Sequence, residues 1–207
     1  NAFITSGMAK RCLVIGAETL SRVVDAHDRD SMIYADGAGA AIIEGSDSET
    51  GMLSYESGTF AIDEANYLFF GKSYNQDLNP NTRYIKMYGR KIYEFALSKV
   101  PAAMKSCLDK SGIEINQVKK ILIHQANEKM DEAIIHRFYK LYGQTPPKDI
   151  MPMSINELGN SSVATVPTLY DLLTKGQIEN HEIHKGDVIM FASVGAGMNV
   201  NAFVYRY

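Results

Sequence analysis

Short apolar runs alternate with helical periodicities along this chain. Residues 11–18 (RCLVIGAE) form an apolar run stopped by Gly16 and read as a buried strand. Residues 36–45 (DGAGAAIIEG) read as a glycine turn feeding a second strand, and residues 51–59 (GMLSYESGT) as a third. Residues 60–83 are rich in aromatic side chains and show no clear period, and a connection of that length in a compact domain implies a site or an interface. A helical pattern over residues 84–99 precedes Pro101, which reads as the first turn of a second helix ending near Gly112. Residues 119–124 (KILIH preceded by Lys) form another strand. Met130, Ile134, Phe138 and Leu141 then recur at helical spacing, with Gly143 as the stop. The stretch TPPKDIMPMS is a loop, residues 161–175 a helix closed by Gly176, and residues 187–193 and 199–207 the last two strands. The first residues read as the end of a helix, with Gly7 as its stop.

An internal echo organises these elements. SGMAKRCLVIGAE followed by DGAGAAIIE matches in pattern HKGDVIMFAS followed by VGAGMNVNAFVY. Each is a helix end, a turn, an apolar strand, a Gly-Ala-Gly segment and a second apolar strand. The echo implies two similar halves: residues 1–48 as the tail of the first, residues 49–207 as a complete second. Strands alternating with helices predict a layered α/β sandwich with a mixed, largely parallel sheet, its closing pair of strands antiparallel.

The chain has 207 residues, 45% hydrophobic and 22% charged, as a folded domain requires. The formal net charge of −3 offers no basic field for nucleic acid. No apolar run is long enough to span a bilayer and no secretory leader is visible, so a cytoplasmic location is expected. Cys12 and Cys107 read as two buried thiols in a reducing compartment. Asn1-Ala2 reads as the remnant of a cleaved tag, and the chain as a fragment of a longer protein.

Chemistry is concentrated at element ends. His124 closes a strand, Asn160 precedes a helix in NELGNSSVATVP, and Gly195-Ala196-Gly197 joins the last two strands. Strand ends are where α/β sheets bind ligands. No carboxylate pair is present for acid–base hydrolysis, and a lone histidine is a poor metal site. An imidazole, a carboxamide and a glycine-loop N–H instead suit stabilisation of an oxyanion.

HQAN after a strand, GNSSVATVP at a helix start and DGAGAA, in this order and with the echo, resemble the β-ketoacyl-acyl carrier protein synthase III family of the thiolase superfamily. The resemblance covers essentially the whole chain and implies a thiolase-like fold. It implies condensation of an acyl-coenzyme A primer with malonyl-acyl carrier protein with loss of carbon dioxide, the start of fatty acid synthesis. It implies His124 and Asn160 as two members of a Cys-His-Asn set, and the Ala196 main chain as an oxyanion donor where the family more often has glycine. The family's cysteine opens the helix whose tail here is FITSG, so neither Cys12 nor Cys107 matches it, and the chain alone is expected to be inactive. The resemblance also implies acyl carrier protein docking on Gln125, Ala126, Asn127, Glu128 and Lys129. Lys129 stands where an arginine is usual, and a cation there would steer an acidic carrier. It implies a homodimeric parent, coenzyme A thioester as substrate, no separate cofactor and no metal.

Plainer readings stand beside these. Asn127 and Asn160 are good helix caps. His181 and His184 in HEIH read as a solvated loop rather than a metal pair, and His136 as exposed. Asp36 in DGAGA lacks the following helix of a phosphate loop. Ser161-Ser162 lacks a nucleophile elbow. Two other functions remain open: a related condensing or acyl-transfer enzyme of specialised metabolism, and a non-catalytic half serving dimerisation or carrier binding. The strands at residues 13–15 and 40–43 are expected to expose apolar surface and to make the fragment prone to association.

Overall fold

A computed structural model describes residues 1–207. The strands are β1 (Arg11–Thr19), β2 (Asp36–Glu44), β3 (Gly51–Thr59), β4 (Leu68–Gly71), β5 (Tyr84–Met87), β6 (Val118–Ile123), β7 (Val188–Gly195) and β8 (Asn199–Arg206). The helices are α1 (Ala2–Thr5), α2 (Gly89–Ser111), α3 (Glu128–Lys140), α4 (Ile155–Leu158) and α5 (Thr165–Thr174).

The central sheet has the order β3-β8-β7-β6. Only β6 and β7 run parallel. The β3–β8 and β7–β8 pairs are antiparallel, as are the separate β1–β2 and β4–β5 ribbons. The sheet is therefore mixed, with a smaller parallel share than the strand–helix alternation suggests. The long connection through α3 and α5 allows β6 and β7 to be parallel, whereas the Gly195–Met198 turn forces β8 back antiparallel.

Both faces of the sheet are covered. Ile121 and Ile123 join the larger core with α2 and α3, while Leu122 joins Leu169, Leu173, Ile189 and Phe191 on the α5 side. Burial on both faces is why residues 121–123 read as an unbroken apolar run rather than an alternation.

Three local expectations are corrected. Tyr84–Met87 is a strand paired with Leu68–Gly71, not the start of a helix, so the unpatterned segment carries a ribbon of its own. Pro101 does not open a second helix but lies inside α2. A proline there cannot donate to the carbonyl four residues back. That carbonyl, Leu97 O, instead accepts from Arg137 Nη1 of α3 at 3.2 Å, so the helix continues with its orphan acceptor satisfied. Finally, Gly37 and Gly39 lie within β2 rather than in a turn before it.

Those glycines set a packing distance. A Cβ on Gly39 would lie 2.6 Å from Pro167 Cγ, one on Gly37 2.8 Å from Ser161 Cβ, and one on Gly16 2.6 Å from Val163 O. The β1–β2 ribbon can thus lie directly on the segment that follows Asn160. Its outer side is bare: Leu13, Ile15 and Ile42 are each more than half exposed. Cys107 is buried, 3.3 Å from Ser54 Oγ, but Cys12 on this ribbon is only half-buried, contrary to the expectation of two buried thiols.

Candidate functional site

β6 ends at Ile123, and His124 continues its ladder by one bond, its N–H donating to Ala192 O at 2.8 Å. The imidazole thereby stands at the carboxyl end of two parallel strands, where side chains are no longer covered by the next turn of sheet. The loop is fixed beyond it by Gln125. That side chain is fully buried, donates through Nε2 to Pro152 O at 2.9 Å, and accepts at Oε1 from Ser154 N at 2.8 Å. Gln125 is therefore a buried brace and cannot touch a docked protein, which corrects its place among the carrier-contact residues. Asn127 caps α3, accepting from Met130 N at 3.1 Å. Asn127, Glu128 and Lys129 are exposed, and Ala126 is half-buried.

Asn160 is built from distant pieces. Its N–H donates to Ile33 O at 2.8 Å and its carbonyl accepts from Ala35 N at 2.9 Å, so the backbone is stitched on both sides to one segment. Gly159 before it has φ 65°, and a Cβ there would come within 3.0 Å of Ala35 Cβ. The carboxamide Oδ1 accepts from Ser162 N at 3.0 Å. An amide oxygen held by a main-chain donor fixes which way the group faces, leaving Nδ2 as the free donor. Ser162 adopts φ 54° and Met198 φ 53°. Left-handed conformations at non-glycine residues cost energy and persist where surroundings enforce them, often around sites.

The segment that stitches Asn160 is anchored by a buried charge cluster. Lys86 Nζ lies 2.6 Å from Asp25 Oδ2 and 2.8 Å from Asp28 Oδ2. Asp28 also accepts from Asp30 N at 3.0 Å, capping the 3₁₀ turn Arg29–Ile33 that leads into Tyr34 and Ala35. Burial raises the Asp25 pKa, but Lys86 and the donors Tyr74 N, His27 N and Ser73 Oγ outweigh it and hold the carboxyl well below the usual range. No sequence motif marks Asp25, Asp28 or Lys86. Their types are ordinary surface types, and only the fold brings Asp25 and Lys86 together.

His124, Asn160, Gly195 and Ala196 line one cavity of about 860 Å³. Twenty of its 29 lining residues are hydrophobic, which suits an aliphatic chain rather than a polar metabolite. They come from the ribbon β4–β5, from the Leu20–Tyr34 region and from β7 and β8. Glu18 is the one carboxylate in the lining, and no lysine or arginine is there. Neither Cys12 nor Cys107 is there either. Burial pushes the His124 pKa down to about 4, and a hydrogen bond with the Ser162 main chain opposes this only in part. The imidazole is thus neutral at pH 7. Ala196 is exposed at the cavity rim, and its carbonyl is held by Asn199 Nδ2 at 2.8 Å. Of the other histidines, His136 and His184 are exposed and His181 is half-buried, all three outside the cavity lining.

The arrangement presents two neutral donors and a turn to a largely apolar chamber whose one carboxylate is Glu18. Such a chamber can stabilise negative charge developing on an oxygen without supplying a mobile proton.

The chain is similar to known proteins. The sequence model described as 3-Oxoacyl-[acyl-carrier-protein (ACP)] synthase III matches residues 1–60, and that described as its C terminal part matches residues 108–207. The Beta-ketoacyl-[acyl-carrier-protein] synthase III of Porphyra umbilicalis is 33% identical over 213 residues, covering 99% of this chain and 62% of its own. That of Prochlorococcus marinus (strain NATL2A) is 31% identical over 214 residues, covering 99% of this chain and 60% of its own. The crystal structure of 3-oxoacyl-[acyl-carrier-protein] synthase III from Aquifex aeolicus superposes with a TM-score of 0.82 at 29% identity, over 100% of this chain and 61% of that one. The chain spans about three fifths of the length of the relatives it matches.

Proposed function

Since the chain belongs to the 3-oxoacyl-[acyl-carrier-protein] synthase III family, a thiolase-like fold, we propose that it supplies the histidine–asparagine side of a condensing site. The reaction joins an acyl-coenzyme A primer to malonyl-acyl carrier protein with loss of carbon dioxide and starts fatty acid synthesis. In this reading residues 1–48 belong to one thiolase-like half and residues 49–207 to the other.

The observation that carries the proposal is the convergence of His124 and the Asn160 carboxamide on one mostly apolar chamber. Cleavage of the malonyl C–C bond releases carbon dioxide and leaves the electron pair on the thioester as an enolate. Its oxygen accepts hydrogen bonds from Asn160 Nδ2 and from an imidazole N–H of His124. A neutral imidazole donates without handing over its proton, so the carbanion is not quenched. The enolate carbon then attacks the carbonyl carbon of the primer's thioester, whose sulfur leaves as the new C–C bond forms. The Ala196 main chain serves the second oxyanion. The sulfur that carries the primer is neither Cys12 nor Cys107, since neither lines the chamber. The apolar walls receive the primer's chain.

The exposed residues Asn127, Glu128 and Lys129 at the start of α3 form the docking patch for acyl carrier protein, Lys129 attracting its acidic surface. Coenzyme A thioester enters as substrate, and the residues call for no further cofactor. The intact enzyme acts as a homodimer in the cytoplasm; no helix here is long and apolar enough to cross a membrane.

The test is Asn160→Ala in the intact protein. Removing one oxyanion donor lowers turnover by roughly 10²–10³. Malonyl decarboxylation and condensation fall by that factor while acyl uptake from coenzyme A persists. Condensation at the parental rate refutes the role.

A further inference from the structure

The turn at the chamber rim that bears Ala196 is gripped by the end of β3. Asn199, the first residue of β8, donates through Nδ2 to Ala196 O at 2.8 Å. Its Oδ1 accepts from Thr59 Oγ1 at 2.6 Å. A carbonyl can only accept, so Nδ2 must face Ala196, and the Thr59 hydroxyl then holds the other end of the carboxamide. The next residue of β3's end makes a second grip, with Phe60 N–H donating to Met198 O at 3.0 Å. Phe60 is itself fixed against α2, its ring edge-on to buried Phe95 with centroids 5.4 Å apart.

Between these two grips the backbone is strained. Gly197 has φ 69° and Met198 φ 53°. A left-handed methionine persists where its surroundings enforce it. A Cβ on Gly197 would lie 3.1 Å from Asn199 Nδ2, so the carboxamide lies against the inside of the turn. Across a planar trans peptide, pinning Ala196 O toward Asn199 points Gly197 N–H the opposite way and fixes the plane that follows Ala196. The neighbouring cross-strand pair makes the same hydroxyl-to-carboxamide bond, Ser57 Oγ to Asn201 Oδ1 at 2.7 Å, but no bond runs from it to the turn. Asn199 and Asn201 line the chamber, whereas Ser57 and Thr59 do not.

We propose that Thr59 and Asn199 are positioning residues for the condensing site. Thr59 orients the Asn199 carboxamide, and Asn199 holds the Ala196 turn in the shape that receives the second oxyanion. This rests on the function proposed above for the Ala196 main chain. Thr59 acts wholly through Asn199, since its own side chain does not reach the chamber. The second oxyanion forms on the primer's carbonyl oxygen. The relay therefore bears on acyl uptake and on the attack at that carbonyl, and not on the decarboxylation that His124 and Asn160 serve.

The experiment compares Thr59→Val, Thr59→Ser and Ser57→Ala in the intact protein. It reads acyl uptake from acyl-coenzyme A and decarboxylation of malonyl-acyl carrier protein without primer as separate rates. Valine has nearly the shape of threonine, suits a strand and lacks the hydroxyl. Thr59→Val slows acyl uptake roughly threefold to tenfold, as loss of one hydrogen bond does, and leaves decarboxylation unchanged. Thr59→Ser keeps the hydroxyl and restores the parental rate. Ser57→Ala breaks the bond that does not reach the turn and changes neither rate. A hydroxyl that served strand pairing alone would act alike at both positions. The proposal is overturned if Thr59→Val takes up acyl groups at the parental rate, if it slows decarboxylation by the same factor, or if Ser57→Ala matches it. The 207-residue chain adds a readout that needs no turnover: the Gly197 amide resonance moves in Thr59→Val and stays in place in Thr59→Ser and Ser57→Ala. A Gly197 resonance indifferent to Thr59→Val overturns the proposal as well. If Thr59→Val does not fold, Thr59→Ala takes its place in every readout. If the intact parent takes up no acyl group, the proposed reaction falls, and the Gly197 resonance still decides whether Thr59 and Asn199 hold the turn.

Discussion

Replacing Lys86 with methionine keeps the length of the stem and removes the ammonium. In the parent, Nζ sits 2.6 Å and 2.8 Å from the Asp25 and Asp28 carboxylates, and the side chains of Lys86 and Asp25 are 3% and 1% exposed. Removing one partner of a buried ion pair costs about 3–5 kcal/mol because the other charge is stranded. Asp25 is cushioned here, since Ser73 Oγ, Tyr74 N and His27 N continue to donate to it. Asp28, 10% exposed on its side chain, can recover some water. The lower end, about 3 kcal/mol, is therefore expected, or a fall in melting temperature of about 6–12 °C for a chain of this size. A second substitution exposes the cause. Asp25→Asn in the Lys86→Met background keeps an oxygen for His27 N and Ser73 Oγ, gives up the one that Tyr74 N uses, and removes the stranded charge, recovering roughly 1 kcal/mol.

Acid gives a sharper test of the same reasoning. In the parent, the Asp25 pKa is depressed by folding. Its contribution is present above about pH 4, the unfolded value, and is lost as pH falls toward the folded value. In Lys86→Met the stranded, buried carboxyl has a raised pKa, so protonation relieves it as pH falls. Both effects shrink the difference between parent and variant on acidification. Thermal denaturation followed by circular dichroism at pH 7 and pH 4 reads it. A variant within about 1 kcal/mol of the parent at pH 7, or a gap that widens toward pH 4, refutes the reasoning.

Two further outcomes are expected. The His124 imidazole resonances should stay flat from pH 8 to pH 5 and titrate near 4, with folding stability full above the unfolded pKa near 6.5 and declining as pH falls through that interval; a midpoint at or above 6 contradicts a neutral, buried donor. Gly37→Ala, whose Cβ would press on Ser161 Cβ at 2.8 Å and Ala164 Cβ at 3.2 Å, should cost about 1–3 kcal/mol in denaturant unfolding. Gly195→Ala meets nothing within 4 Å and should stay within about 0.5 kcal/mol, so equal losses would deny that close packing of β2 matters.

The sequence carried the long elements and the polar groups at their ends, because both are local. β6 and β7 are apolar on both faces and bounded by polar turns, so their runs stand out whatever they pair with. α3 announces itself through Asn127 and the spacing of Met130, Ile134 and Phe138. What stayed hidden depends on partners far along the chain. β4 and β5 are four residues each, too short for a period to register, and their ladder joins residues on opposite sides of a loop. Pro101 reads as a helix start until Arg137 is seen supplying the missing donor. Gly37 and Gly39 read as a turn because glycine usually marks one; here φ is ordinary and the reason is the closeness of Ser161 and Pro167. Gln125 reads as a surface contact because it neighbours exposed residues, and only the path of residues 152–154 shows it enclosed.

The same division explains why the two site residues have such different supports. His124 is placed by its own strand and by the loop and helix that follow, all within a few residues, so its position was legible once the strand was recognised. Asn160 is placed by Ile33, the last residue of a turn capped by Asp28, and by Ala35 just beyond it, and Asp28 is held by Lys86. That chain of contacts runs through three segments with no sequence signal joining them. Its buried charges contribute little net stability over an apolar substitute, but a charge cluster satisfied in only one arrangement specifies where the turn must lie. Burial by apolar contact alone would tolerate a shift of the turn. A shifted turn would move Ile33 O and Ala35 N relative to Asn160 and so move Asn160 in the cavity wall that it shares with His124. The placement of Asn160 on which the proposed chemistry depends thus rests on Asp25, Lys86 and Asp28 as well as on the cavity's apolar walls.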